Sequence, residues 1–326
     1  MNQPKVSVII PVYNTEDYVQ DALLSIMEQS LEEIQIIVIN DGSTDNSLQM
    51  VSRLAEQDSR IEVFSQPNKG LSEARNAGLD HSFGKYVYFM DSDDLLEKDT
   101  LLICYEKCEK EQLDFVFFDA ESFSDDGQQL DSFYDYIRAK FVEDRIYEGT
   151  EILRILLDKG IYKASVCFNL INRNFLNSID LKFYPGIIHE DELFTGLQYI
   201  SAKRVGCIPK AFFKRRVRVN SIMTSTYSFR HINGYLCAVS GLNEHAKQQR
   251  DRTVSKTTRE LIRYILNPSV YNAHVLSLPE RMKVFKICLR NSYLKYLTLK
   301  NSIVLLFPFT IAVKSVFKKA LFQRKA

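Results

Sequence analysis

Four apolar runs restrict this chain more than any other feature: VSVIIPVYN at 6–14, IQIIVIN at 34–40, IEVF at 61–64 and YVYFM at 86–90. They are rich in β-branched and aromatic residues with little polar alternation, as expected for strands covered on both faces of a parallel sheet. Behind the first, Val19, Ala22, Leu23, Ile26 and Met27 fall at helical spacing; behind the second, Leu48, Val51, Leu54 and Ala55 do the same. Strand, helix, strand, helix in this order predicts a parallel sheet with right-handed crossovers. Three runs end on polar residues, Asn14, Asp41 and Asp91. The carboxyl ends of such strands form one rim, where open α/β sheets hold their ligands.

The last of these ends is the most acidic. Asp91, Asp93 and Asp94 follow YVYFM with only Ser92 among them. Three carboxylates so close repel one another unless a cation joins them, and hard oxygen ligands suit Mg²⁺ or Mn²⁺.

A chain of 326 residues accommodates one large domain and an appendage. Its six cysteines include no C-x-x-C pair, and Cys104 and Cys108 sit four apart on a predicted helix, which is core spacing rather than a zinc site. Residues 6–13 are interrupted by Pro11 and followed by polar sequence, unlike a secretory leader. Together these set the expectation of a cytoplasmic chain, at most peripheral on the inner face of the plasma membrane. The net charge of +1 conceals an asymmetry: residues 1–230 hold 25 Lys and Arg against 37 Asp and Glu, whereas residues 231–326 hold 17 against 4. The basic region is expected to meet an anionic surface. No recognised nucleic-acid motif accompanies it, so a membrane surface is expected rather than nucleic acid.

The segments VSVIIPVYN (6–14), VINDGSTDNS (38–47), NKGLSEARNAG (68–78), MDSDD (90–94) and HEDELF (189–194) occur in the order found in one family. Over about residues 5–225 the chain resembles the family 2 inverting glycosyltransferases of bacterial surface-polysaccharide type, enzymes of the GT-A fold. The resemblance implies an α/β fold with a Rossmann-like, mostly parallel sheet flanked by helices and a helical C-terminal extension. It implies a glycosyltransferase domain at 1–230, with a nucleotide-sugar-binding half at 1–112 and an acceptor-side half at 113–230. Residues 231–326 then form a basic helical region outside the resemblance. The activity implied is transfer of a sugar, with inversion, from a nucleotide-sugar to the hydroxyl of a glycan or lipid-linked acceptor.

The resemblance also assigns roles. Pro11, Val12, Tyr13 and Asn14 form the strand-end motif that holds the nucleoside, with the first three walling the base. Asp41 accepts the uracil N3–H of a UDP-sugar, a charge-assisted hydrogen bond, provided that Ser43 or Thr44 caps the next helix and leaves it free. Asp93 ligates Mn²⁺ or Mg²⁺, and Asp91 touches the ribose or meets the metal through water, with Ser92 between them in the same loop. The cation would act as Lewis acid toward the departing diphosphate. Asp94 either pairs with Arg75 or starts a helix over 95–110. Arg75, on a helix beginning beside Gly70, braces the acidic loop or approaches the phosphates, and Asn76 and Gly78 serve helix–sheet packing. Asp191 is the general base and Glu190 orients the acceptor; apart from the resemblance, His189 is the less favoured base, since a lone histidine is more often structural. In KRRVRVNSIM (214–223), Arg216, Arg218 and Ser221 form a lid over the diphosphate; on an extended segment the two arginines point the same way.

From 303 the chain reads IVLLFPFTIAV, too short an apolar run to span a bilayer. Phe309, Val313, Val316, Phe317, Ala320 and Leu321 share a helical face flanked by lysines, which suits either an interfacial helix or packing on the body. Two rival functions are weighed against transfer. Sugar-phosphate nucleotidyltransferases place a glycine-rich phosphate loop after the first strand, where this chain has PVYNTED. A catalytically inactive scaffold that binds nucleotide-sugar at a membrane would not need Asp91, Asp93 and Asp191 together.

Overall fold

A computed structural model describes residues 3–125, 136–218 and 226–308. These fall into two compact units: residues up to 186 together with 193–218 in the first, and residues 187–192 together with 226–308 in the second. The second unit thus includes a short stretch well upstream of the expected boundary at 230.

In the first unit the four apolar runs are β1 (Val6–Val12), β2 (Ile34–Asn40), β3 (Ile61–Ser65) and β4 (Tyr86–Phe89). Four more strands follow: β5 (Leu95–Leu96), β6 (Phe115–Phe123), β7 (Asn169–Asn172) and β8 (Val205–Arg216). All eight join one sheet in the order β3-β2-β1-β4-β7-β6-β8-β5. β1 to β4 pair parallel, as do β6 and β8; β7 runs antiparallel to both β4 and β6, and β5 antiparallel to β8. The register sets Val12 opposite Asn40 and Ile9 opposite Phe89, so the polar residues after β1, β2 and β4 emerge on one rim.

Every residue of β1, β2 and β4 is buried. Each large aliphatic side chain among them contributes roughly 1.5–3 kcal/mol over its exposed state. Helices α1 (Val19–Met27), α2 (Ser47–Ala55) and α3 (Leu71–His81) are the crossovers. A Cβ at Gly78 of α3 would come 2.2 Å from Ile9 Cγ2, so glycine permits this helix to lie against β1. Asn76 supports it by exchanging hydrogen bonds of 2.8 and 2.9 Å with the Phe183 backbone.

The helix expected over 95–110 begins later. Leu95 and Leu96 pair with Lys214 and Phe213 as β5, and α4 runs Thr100–Glu111. A long-range strand partner overrides the local helical pattern there. The polar, turn-prone stretch SFSDDGQQLDS at 122–132 likewise begins within a strand, since β6 continues to Phe123. Helices α5 (Gly149–Asp158), α6 (Arg173–Ser178) and α7 (Asp191–Ser201) complete this part of the chain.

The second unit is helical: α8 (Phe229–Gln248), α9 (Arg252–Asn272), α10 (Leu278–Arg290) and α11 (Leu299–Leu306). Ser277 and Glu280 form a capping box on α10, and Asp251 caps α9. Among the described residues no helix is long and apolar enough to cross a membrane. The amphipathic face expected from Phe309 onward lies outside the described residues. All six cysteines are free thiols, five of them buried, while Cys237 on α8 is half-buried.

Candidate active site

The rim begins at the end of β1, where Pro11 and Val12 are buried and Tyr13 is 48% exposed. Of the three expected to wall a base, only Tyr13 offers a ring to solvent. Asn14 has a left-handed backbone, φ 52°, a conformation Asn tolerates better than most residues. Its Oδ1 accepts from the Thr44 N–H at 2.8 Å, and its own N–H donates to Ser43 Oγ at 3.3 Å. Ser43 and Thr44 therefore tie the first two strand ends together rather than cap α2, whose first N–H, at Ser47, is met by Asp45 Oδ1 at 3.0 Å.

Nor is Asp41 left free. It is buried, and its carboxylate accepts from Gln66 Nε2 at 2.7 Å, Lys69 N–H at 2.9 Å and Gly70 N–H at 2.8 Å. The sequence reading missed this because the donors come from the loop ahead of α3, not from the Asp-Gly-Ser-Thr turn. Two carboxylate oxygens offer about four acceptor sites, so capacity for another donor remains.

In the acidic loop, Arg75 of α3 is buried and donates from Nη2 to Asp91 Oδ1 at 2.8 Å, with its guanidinium 5.1 Å from the centre of the Phe183 ring. Arg75 thus braces the loop through Asp91. Asp94 is buried, accepts from the Arg216 N–H at 2.7 Å, and leads into β5 instead of a helix. Ser92 is buried and accepts from Thr15 Oγ1 at 3.1 Å, which fixes the loop between its two flanking aspartates. Burial first, then the charge of Asp91, pushes the Asp93 carboxyl above its ordinary range, opposed by the charge and hydrogen bond of Arg218. Burial and the charges of Asp93 and Asp91 raise Asp94 still further.

Arg216 and Arg218 close over this loop. Arg218 Nε donates to Asp93 Oδ2 at 2.7 Å. Arg216 Nε donates to the Asp93 carbonyl at 2.9 Å, while its Nη1 meets Asp125. Both guanidiniums lie over the Tyr18 ring, at 5.1 and 5.3 Å, the same-side placement expected of alternate residues on an extended segment. Tyr18 was not singled out from sequence; nothing local marks an aromatic in the turn after β1 as an arginine platform. Ser221 lies outside the described residues.

Among the described residues no group of three or more His, Cys, Asp or Glu side chains is gathered around a metal position. Asp91 and Asp93 nonetheless offer hard oxygen donors from a pair whose mutual repulsion is visible in Asp93. That set fits Mg²⁺ or Mn²⁺, which take one or two carboxylates and complete their shell with substrate phosphates and water.

Glu190 and Asp191 belong to the second unit. Asp191 opens α7, where the helix dipole favours a carboxylate, and Glu190 is buried just before it. His189 has φ 64° and stacks on Tyr235, ring centres 4.2 Å apart at 14°. Burial, then the nearby His231, pushes the His189 imidazole down to about 4, so it is neutral in ordinary buffers. Glu192 donates its N–H to the His189 carbonyl at 3.1 Å. Burial and the charge of Asp191 push the Glu192 carboxyl up to about 8.

Comparison with known proteins identifies the family and the fold. The model of the family described as "Glycosyl transferase family 2" matches residues 7–178. Glycosyltransferase GlyA of Streptococcus pneumoniae is 32% identical over 220 residues, covering 67% of this chain but only 31% of GlyA. In fold, the chain resembles S. aureus TarS 1-349 in complex with UDP-GlcNAc, with TM-score 0.65 and 24% identity over 81% of this chain and 72% of that one. It also resembles the mannosyltransferase PcManGT from Pyrobaculum calidifontis in complex with GDP-Man and Mn2+, with TM-score 0.56 and 17% identity over 98% of this chain and 89% of that one. The sheet, its acidic strand ends and the length of the family match lead to one assignment: this chain belongs to glycosyl transferase family 2.

Proposed function

We propose that the chain is an inverting glycosyltransferase that moves a sugar from a UDP-sugar to an acceptor hydroxyl. The carrying observation is the acidic loop at the carboxyl end of β4, with Asp91 held by Arg75 and Asp93 held by Arg218. A donor diphosphate is a ligand that such a loop could receive: its charge would attract Arg218, leaving the Asp93 carboxylate to hold a cation, while Arg75 continues to brace Asp91. Asp91 and Asp93 would hold Mn²⁺ or Mg²⁺, which supplies Lewis-acid stabilisation to the leaving diphosphate. Arg216 and Arg218 are suited to cover the phosphates because a guanidinium matches phosphate geometry in a bidentate fashion. Tyr13 offers the base a ring face, and Asp41 retains acceptor capacity for the uracil N3–H.

At the other end of the reaction, Asp191 takes the proton of the acceptor hydroxyl as that oxygen attacks the anomeric carbon, and Glu190 orients the acceptor. The acceptor class is a glycan or lipid-linked sugar in capsule, O-antigen or exopolysaccharide assembly. The surface-polysaccharide resemblance and the 17-to-4 basic excess of residues 231–326 support that reading. Flotation with anionic liposomes, comparing the full chain with one ending at Pro308, tests the membrane contact; equal flotation removes residues 309–326 from it.

The central experiment is calorimetry with UDP and Mn²⁺, alongside nucleotide release from UDP-, GDP- and dTDP-sugars. UDP binding should weaken by at least about tenfold in Asp93→Ala or with EDTA, the loss expected for a charge-assisted interaction of about 1.5–3 kcal/mol. Undiminished binding in EDTA would remove the metal from the proposal.

A further inference from the structure

The candidate base sits on a turn that the C-terminal helices hold. Within the second unit, Gly234 of α8 lies so close to the turn that a Cβ there would come 2.0 Å from the Ile188 carbonyl oxygen. A backbone atom cannot yield as a flexible side chain would. Glycine is also a poor helix former, and close approach explains its place inside this 20-residue helix. One residue on, Tyr235 stacks on His189, whose left-handed backbone is uncommon for a residue with a Cβ. The His189 Nε2 is buried without a hydrogen-bond partner, so ring packing rather than a bond from that nitrogen secures the side chain. Beyond Asp191, Glu192 Oε2 is likewise buried without a hydrogen-bond partner. Tyr235 and Tyr264 of α9 lie near it: burial, and then the Glu192 charge, raises both phenols.

We propose that α8 is a positioning element for glycosyl transfer, with Gly234 and Tyr235 fixing the turn at 187–192 and thereby the Asp191 carboxylate. This rests on Asp191 being the base, as proposed above. A base must stand within hydrogen-bond reach of the attacking hydroxyl, and a misplacement of about 1 Å can cost on the order of 100-fold in rate. The C-terminal helices are then required for turnover on any acceptor, whether or not a membrane is present. The state of Glu192 suits the same role: protonated at neutral pH, it does not compete with Asp191 for the acceptor proton.

The test uses the full chain with Mn²⁺ and a panel of UDP-glucose, UDP-galactose, UDP-N-acetylglucosamine and UDP-N-acetylgalactosamine. Gly234→Ala and Tyr235→Leu should lower kcat by about 10- to 100-fold, with UDP affinity by calorimetry held within about twofold. Tyr235→Phe keeps the ring and should stay within about threefold of the unmodified rate. Wild-type turnover in both Gly234→Ala and Tyr235→Leu, or a loss of UDP affinity in step with kcat, overturns the inference. Should Gly234→Ala fail to fold, Tyr235→Leu against Tyr235→Phe decides by the same criteria. Should the unmodified chain turn over no sugar, the function proposed above fails. Amide hydrogen exchange at 188–193 then decides this inference: faster exchange in Tyr235→Leu, with β1–β4 unaffected, supports it, and unchanged exchange overturns it.

Discussion

The carboxylates of the donor rim and those of the acid turn are accommodated in opposite ways. Asp91 and Asp93 each receive a guanidinium hydrogen bond, at 2.8 and 2.7 Å. Glu192 instead buries one oxygen without a hydrogen-bond partner, near two tyrosines, and responds by holding its proton. Paired carboxylates can trade one cation for another. A buried unpaired carboxyl disfavours its charged form, and its pKa rises. On the function proposed above, the rim would exchange charged ligands and the turn would handle a proton.

The strongest way to break this comparison is Asp191→Asn, which keeps the shape and removes the basicity. Transfer should fall on the order of 10²- to 10⁴-fold, while calorimetry shows UDP binding intact. If Glu190→Gln abolishes transfer and Asp191→Asn remains active, the base lies one residue upstream. Next in size is Arg218→Ala. Loss of a charge-assisted contact worth about 1.5–3 kcal/mol should weaken UDP binding with Mn²⁺ by about 10- to 100-fold. An unchanged dissociation constant would show that Arg218 serves only the ligand-free loop.

The smallest effect on transfer is expected for Glu192→Gln, where the readout is stability against pH. The native carboxyl titrates near 8, against about 4.3 in an unfolded chain. Folding therefore favours the protonated form. That contribution is whole below about pH 4.3 and is lost as pH rises toward 8. Removing the titration should make the variant progressively more stable than the unmodified chain from pH 5 to 8, by on the order of 3–4 kcal/mol at pH 7, read as a rising difference in melting temperature. A constant offset over that range would mean that Glu192 is ionised in the native state.

The first half of the sheet was legible because each of its strands is a run of adjacent residues whose covered faces leave no polar alternation. What was not legible depends on distant partners. Leu95 and Leu96 read as the start of a helix until β8 supplies Phe213 and Lys214. Asp41 reads as a free rim carboxylate until the 66–70 loop returns to it. The shared direction of Arg216 and Arg218 followed from the strand period, but Tyr18 beneath them did not, since nothing near position 18 indicates β8. The assignment of 187–192 to the C-terminal helices was equally hidden, because HEDELF carries no mark of Gly234 or Tyr235.

The distribution of thiols gives the molecule a built-in attachment point. With five cysteines buried and Cys237 half-buried on α8, a maleimide or nitroxide added to the unmutated chain should couple at one place, two residues past the ring that stacks on His189. Burial raises the Cys237 thiol, so coupling should be slow near neutrality and quicken in alkaline buffer as thiolate forms. A fluorophore or spin label there would follow the helix beneath the acid turn during turnover, in a chain whose sequence has not been altered.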